Sequence, residues 1–173
     1  TPVFHSLQPV SFLDELAAAS AAPGGGSAAA YAAAMGAGLV AMVAGLTIGK
    51  KKYAEVEAEM QAIRVMAESL REELTQSVED DSSAFEAVMG AFKLPKGTEE
   101  QKNIRAATIF NSTLNAAHVP LHVCEGTVKV MELALKFAKD ANLNAISDSL
   151  SGFAMARAAL TAAGYNVKIN INS

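Results

Sequence analysis

Between Tyr53 and Ala91 the apolar positions of this chain recur every seven residues in two interleaved sets. One set reads Tyr53, Met60, Ala67 and Leu74, and carried forward by sevens it reaches Asp81 and then Val88. The other reads Val56, Ile63 and Leu70, followed by Ser77, Ala84 and Ala91. Residues three and four apart share one face of a helix, so the pattern predicts a long helix buried along one seam. It runs from about Tyr53 to just before Leu94-Pro95-Lys96-Gly97.

Ahead of it, Gly24 to Gly49 carries no charge and is rich in Ala and Gly. That predicts a helix buried on nearly every side. Ala30, Ala34 and Gly38, and also Ala37, Ala41 and Gly45, recur every four residues. They form a flat strip along which another backbone can approach, from the same chain or from a partner subunit.

The remaining elements follow from caps and breakers. A first helix is expected after Pro9, with Ser11 as N-cap and Asp14 three residues on, ending at about Ala19. Pro23-Gly24-Gly25-Gly26-Ser27 is a turn that opens the small-residue helix. Thr98 caps another helix, with Glu99 and Glu100 in its first turn, and Pro120 interrupts or kinks that run before it continues to about Lys139. Past Asn142-Leu143-Asn144, a further helix is expected from about Asp148 to Ala163. Tyr165 to Ser173 alternates apolar and polar residues like a strand that has no partner, so an extended C-terminal tail is expected. The fold class is therefore all-α, a multi-helix bundle of about six helices.

Composition narrows the function. The chain has 173 residues, enough for a single domain with one core, and is 51% hydrophobic and 18% charged. Its net charge of −4 argues against a nucleic-acid binder, which carries a basic face. The lone Cys124 forms no internal disulfide and fits a reducing compartment. The chain opens on Thr1 with no charged-then-apolar leader, which predicts a processed or trimmed start. Gly24 to Gly49 is long enough to span a bilayer, but Ala and Gly insert weakly, so a buried soluble helix is the better reading.

Asp81 is the anomaly in the seam. Around it, large apolar residues give way to Ser77, Ala84 and Ala91, which points to a cavity rather than a packed core. A carboxylate withdrawn from water is suited to accept and return a proton. A buried structural Asp satisfied by a cap, a lysine or a register break at Ser82-Ser83 fits the spacing equally well. Glu79 and Asp80 fall on other faces.

The glycine turn is also open to two readings. Successive glycines let a ligand approach the backbone, and the following helix offers free N–H groups to an anionic or carbonyl-bearing ligand. The same turn also serves to feed a crowded helix. It is neither a dinucleotide fingerprint nor a phosphate loop. Lys50, Lys51 and Lys52, at the far end of that helix, either complement its negative end or grip acidic ligand groups. His118, His122 and Glu125 have the spacing of metal ligands on a helix, but Pro120 lies between the histidines and only His5 remains to join them. No metal site is expected. Ser147 and Asp148 read as a helix start, and Cys124 as a core thiol.

Five blocks can be taken together: SFLDELAAASAAPGGGSAAA, LTIGKKKY, DSSAFEAVMGAFKLPKGT, NLNAISDSLSGFAMARAAL and NVKINI. In this order and spacing the chain resembles the cyclodeaminase/cyclohydrolase family, which includes the cyclodeaminase domain of formiminotransferase-cyclodeaminase and free-standing methenyltetrahydrofolate cyclohydrolases. The resemblance runs from Ser11 to Ile171. It implies a cytoplasmic, all-helical homodimer or higher oligomer acting on tetrahydrofolate derivatives, without a metal or nucleotide cofactor; from the charge and the Ala/Gly content, no nucleic-acid or membrane partner is expected.

It also implies that Asp81, in a D-x-x-A-F block with Ala84 and Phe85, is the catalytic acid and base. Pro23, Gly24, Gly25, Gly26 and Ser27 would lie at the folate site. Lys50, Lys51, Lys96, Asn142, Ser147 and Asp148 are further substrate-binding candidates, and Asn166 and Asn170 match the family's N-V-x-I-N tail. The implied activity is that of a formimidoyltetrahydrofolate cyclodeaminase (an ammonia lyase), with methenyltetrahydrofolate cyclohydrolase as the alternative and a non-catalytic helical dimer as a further one. Family members continue into another long helix, so a single domain over residues 1–173 that lacks this helix is expected.

Overall fold

The uncharged stretch after the glycine turn forms the axis of the molecule. In the computed structural model, which describes residues 9–140 and 142–172, five α-helices are found: α1 (Pro9–Ala17), α2 (Gly25–Thr47), α3 (Glu57–Phe92), α4 (Glu99–Asp140) and α5 (Ile146–Ile171). Short 3-10 turns, Lys51–Val56 and Leu143–Ala145, precede α3 and α5. Helix α2 packs against α3 on one side and α5 on the other, while α4 closes the bundle against both.

Small side chains make this arrangement possible. Ala30, Ala33, Ala37, Val40, Val43 and Ala44 of α2 are fully buried. At the α2–α5 crossing a Cβ on Gly36 would sit 3.0 Å from the Gly152 carbonyl oxygen. Gly36 and Gly152 together therefore let the two backbones approach closely. Gly38 and Gly45, on the strip picked out by the four-residue spacing, instead lie beneath the side chains of Arg71 and Arg64. Helix α2 is apolar enough to cross a membrane by length and composition, with mean hydropathy 1.8, but 56% of that window is buried within the bundle.

The heptad seam of α3 is the buried one. Met60, Ile63, Ala67, Leu70, Leu74, Ser77, Ala84 and Ala91 all point inward, and Asp81, between Ser77 and Ala84, is half-buried. Gly126 of α4 lets α3 in close, because a Cβ there would lie 3.1 Å from Leu74 Cδ2.

Several boundaries differ from the sequence expectation. Helix α1 begins at Pro9, ahead of Ser11, and ends at Ala17, with Phe12 stacked on Tyr31 of α2 at 5.0 Å. Thr98 does cap α4: its Oγ1 accepts from Gln101 N at 3.2 Å, while Gln101 Oε1 accepts from Thr98 N at 3.2 Å. Pro120 neither breaks nor ends α4, which continues to Asp140, so two expected helices are one.

Helix α5 starts at Ile146 with no side-chain cap from Ser147 or Asp148. The extended tail is corrected as well, since Tyr165 to Ile171 is the last stretch of α5. An isolated strand leaves its backbone groups unpaired, whereas the helix satisfies them internally. In that helix Asn166 and Asn170, four apart, share one face.

Candidate active site

Asp81 faces the N-terminus of α2. Gly24 is the extended N-cap, and Ala28 N to Gly24 O, at 2.9 Å, is the first bond of the helix, leaving the preceding N–H groups without helical acceptors. The fully buried Ser27 donates from Oγ to Asp81 Oδ2 at 2.7 Å and lies 3.4 Å from Ser82 Oγ. A Cβ built on Gly26 would fall against the carboxylate, 2.7 Å from Cγ and 2.8 Å from Oδ2. Glycine is thus required at 26 for the carboxylate to stand over the helix end, where the dipole is favourable to negative charge.

A cavity of about 320 Å³ opens beside this contact. Its floor is Ala21, Ala22 and the three glycines, reached through a cis Ala22–Pro23 bond. One wall is the face of α3 that carries Asp81, Phe85, Val88 and Phe92, and the other is Thr113 and Ala116 of α4 with Asn166 and Asn170 of α5. Asn166 hangs over Gly25, its Nδ2 bonded to Ala162 O at 2.9 Å.

Asn170 Nδ2 donates to Ala116 O at 2.7 Å. That carbonyl is the one Pro120 cannot serve, because proline has no N–H to offer the residue four before it. The proline and the asparagine together lock α4 to α5 at the cavity wall. A wider apolar groove of about 520 Å³ shares Thr113 and Asn170 with the cavity and continues along α4 past Phe110 to Arg105.

The candidates named from sequence separate into two groups. Asp81, Gly24, Gly25, Gly26 and Ser27, with Pro23 in the same turn, meet here, as do Asn166 and Asn170. Lys50 and Lys51 sit beyond the far end of α2, which at 23 residues is about 34 Å long. Asn142 is there too, donating from N to Thr47 Oγ1 and from Nδ2 to Leu46 O, both at 3.2 Å, so it caps the end of α2. Ser147 and Asp148 open α5 at that same end, about 28 Å along the helix from Asn166. The structure does not bring this second group to Asp81 within one chain. Lys96 lies in the exposed α3–α4 turn, near Phe92 but not lining the cavity.

Phe92, Thr113 and Ala116 were not anticipated. Phe92 was within reach of the sequence, since Phe85, Val88 and Phe92 follow Asp81 at helical spacing; Thr113 and Ala116 are placed only by the packing of α4. His118, His122 and Glu125 are exposed on α4, and among the described residues no group of three or more His, Cys, Asp or Glu side chains is placed to hold a metal.

An all-helical bundle with a carboxylate held over a glycine-rich helix start is the class that this geometry defines. A family model described as formiminotransferase-cyclodeaminase matches residues 9–173, and the chain belongs to that family. It is 49% identical over 160 residues to a methenyltetrahydrofolate cyclohydrolase of Methylorubrum extorquens, covering 92% of this chain and 77% of that protein. It is 34% identical to the formimidoyltransferase-cyclodeaminase of Rattus norvegicus, over 93% of this chain but only 30% of that longer protein. The fold matches a crystal structure of formiminotetrahydrofolate cyclodeaminase from Thermotoga maritima with a TM-score of 0.84 and 32% identity, over 98% of this chain and 79% of that one.

Proposed function

We propose that this chain is a folate one-carbon enzyme acting at the N5–N10 bridge of tetrahydrofolate, with Asp81 as the proton carrier. The observation that carries the reading is the carboxylate, bonded to Ser27 and seated over Gly26, facing a cavity in a family of folate enzymes. The 49% identity to a cyclohydrolase puts that reaction ahead of the cyclodeaminase favoured from the five blocks. The likeness to the Thermotoga cyclodeaminase keeps deamination as the second reading.

In cyclohydrolysis, water adds to the methenyl carbon of 5,10-methenyltetrahydrofolate as Asp81 takes one of its protons. The adduct then expels N5, which receives that proton from Asp81, while the carbinol O–H gives up its proton to solvent, its oxygen becomes the formyl carbonyl, and 10-formyltetrahydrofolate remains. In cyclodeamination, N10 of 5-formiminotetrahydrofolate attacks the carbon of the protonated formimino group, leaving an NH2 group on the adduct. Asp81 takes the N10 proton and delivers it to the departing amine. One carboxylate serves as base and then acid in both.

Ser27 fixes its rotamer, the glycine turn leaves room for the bridge atoms, and Phe85 and Phe92 flank the bound rings. The substrate is the only small molecule required: no metal, nucleotide, nucleic acid or membrane enters the scheme. The protein works as a cytoplasmic homodimer, and Lys50, Lys51, Asn142, Ser147 and Asp148 reach substrate only if a partner copy presents its far end.

Absorbance at the methenyltetrahydrofolate band tests this on purified protein. Accelerated loss of the band establishes the hydrolase, and its appearance from 5-formiminotetrahydrofolate with release of ammonia establishes the lyase. Asp81→Asn should abolish whichever is present while leaving the helical circular dichroism intact. Protein that neither binds nor converts a reduced folate would sink the proposal.

A further inference from the structure

Among the described residues Arg105 has no counterion. Its Nη2 donates to the Phe92 carbonyl at 3.2 Å and its guanidinium lies 5.6 Å from the centre of the Phe92 ring. Its Nε is buried and finds no acceptor. Guanidinium has five N–H donors, and a buried one left unpaired is costly. The ion pairs found among the described residues join Arg71 to Glu68 and Glu72, and Lys102 to Glu99, so Arg105 has none. Lys93 and Lys96, in and beside the same turn, are in none of these ion pairs either.

The groove beside Arg105 is mostly apolar, lined by Ile109, Phe110, Leu114 and Ile171, and it shares Thr113 and Asn170 with the wall of the Asp81 cavity. Asp81 and Phe92 are separated by about 16 Å along α3. An aromatic ring joined through an amide to an extended amino acid spans on the order of 10 Å. A contact of about 3 Å at each end makes up the remainder.

We infer that Arg105 is a specificity-determining residue that binds the glutamate carboxylate of the substrate, with the p-aminobenzoyl ring lying in the groove between Phe92 and Phe110. The inference rests on the proposed folate reading and adds the end of the ligand away from the chemistry. A planar fork of donors matches a carboxylate in two bonds, and the terminal Nη groups, of which Nη2 has one N–H on the Phe92 carbonyl, are the donors that face a ligand. Arg105 acts on binding and leaves the proton transfers at Asp81 alone.

The test compares 5,10-methenyltetrahydrofolate with 5,10-methenyltetrahydropteroate, which keeps the ring and lacks the glutamate. In the wild-type protein the intact substrate should be favoured about ten- to hundredfold in kcat/KM, chiefly through KM, as a charge-assisted bond requires. Arg105→Gln should remove that preference, bringing the intact substrate down to the level of the truncated one. Arg105→Lys, which keeps the charge without the fork, should fall between.

Equal kcat/KM for the two substrates in wild type overturns the inference while leaving the folate reading standing, and it needs no variant to fold. Absence of any turnover or calorimetric binding in wild type overturns both. A shift of sedimentation coefficient in Arg105→Gln with substrate preference unchanged would assign the groove to a second copy of the chain and overturn the inference too.

Discussion

Pro120 and Asn170 define a coupled pair whose energy can be measured. Asn170→Ala removes the Nδ2 that donates to Ala116 O at 2.7 Å, and no backbone N–H can replace it because residue 120 is proline. The loss of a partner for a half-buried carbonyl should cost about 1–3 kcal/mol. Pro120→Ala restores an N–H four residues beyond Ala116, so in that background the carbonyl keeps a partner when Asn170 is truncated.

The cost of Asn170→Ala should therefore fall by at least about 0.5 kcal/mol, a coupling typical of groups sharing one partner. Losses common to both backgrounds, such as the packing of the buried proline ring and of the asparagine stem, cancel in the cycle. Urea unfolding of the four proteins at one fixed concentration supplies the free energies. Equal costs of Asn170→Ala with and without the proline would refute the claim that the side chain takes over an orphaned carbonyl.

Gly26→Ala drives a methyl group into the Asp81 carboxylate, and turnover should drop about a hundredfold with the fold retained, as read by the absorbance assay beside circular dichroism. Two glycines of α5 should respond with opposite signs. Gly152→Ala meets Gly36 O and Leu39 Cβ at 3.2 Å and should destabilise by about 1–3 kcal/mol, whereas Gly164→Ala meets nothing within 4 Å and should stabilise by about 0.5–1 kcal/mol, both measured by urea unfolding. Burial, reinforced by Glu125, pushes the Cys124 thiol above its ordinary pKa, so iodoacetamide should modify it more slowly than free cysteine between pH 7 and 9. Because the folded state then holds this proton more tightly than the unfolded chain, stability should decline as pH rises past the ordinary thiol value.

What could be read from sequence follows from where the periodicity carried information. The α3 seam was legible residue by residue, and the position that broke it, Asp81, is the one that meets Ser27 and Gly26. The C-terminal asparagines were legible as residues but not as structure. Val167, Ile169 and Ile171 alternate as in a strand, and packing against α4 overrides that preference.

Helix α4 was the least legible. Its role at the cavity depends on Thr113 and Ala116, which look like any small surface residues until α5 is laid across them. The small-residue strip was seen in α2, but sequence alone could not say which glycine meets another backbone, since that depends on the partner Gly152 far along the chain. The far-end candidates, Lys50, Lys51, Asn142, Ser147 and Asp148, were grouped by motif, and helix length is what separates them from Asp81.

The apolar, uncharged character of α2 has a consequence for how the chain is made. Its partners for burial, α3 and α5, are synthesised after it, and α5 begins only at Ile146. At ribosomal speeds, α2 waits about 5 to 20 s between its own completion and the arrival of α5. During that interval it presents 23 residues that pass for a membrane span. Its alanines and glycines, chosen by the tight helix crossing, also give holdases and the insertion machinery little to grip. The close packing of the finished bundle and the safe passage of the nascent chain thus make the same demand on one helix.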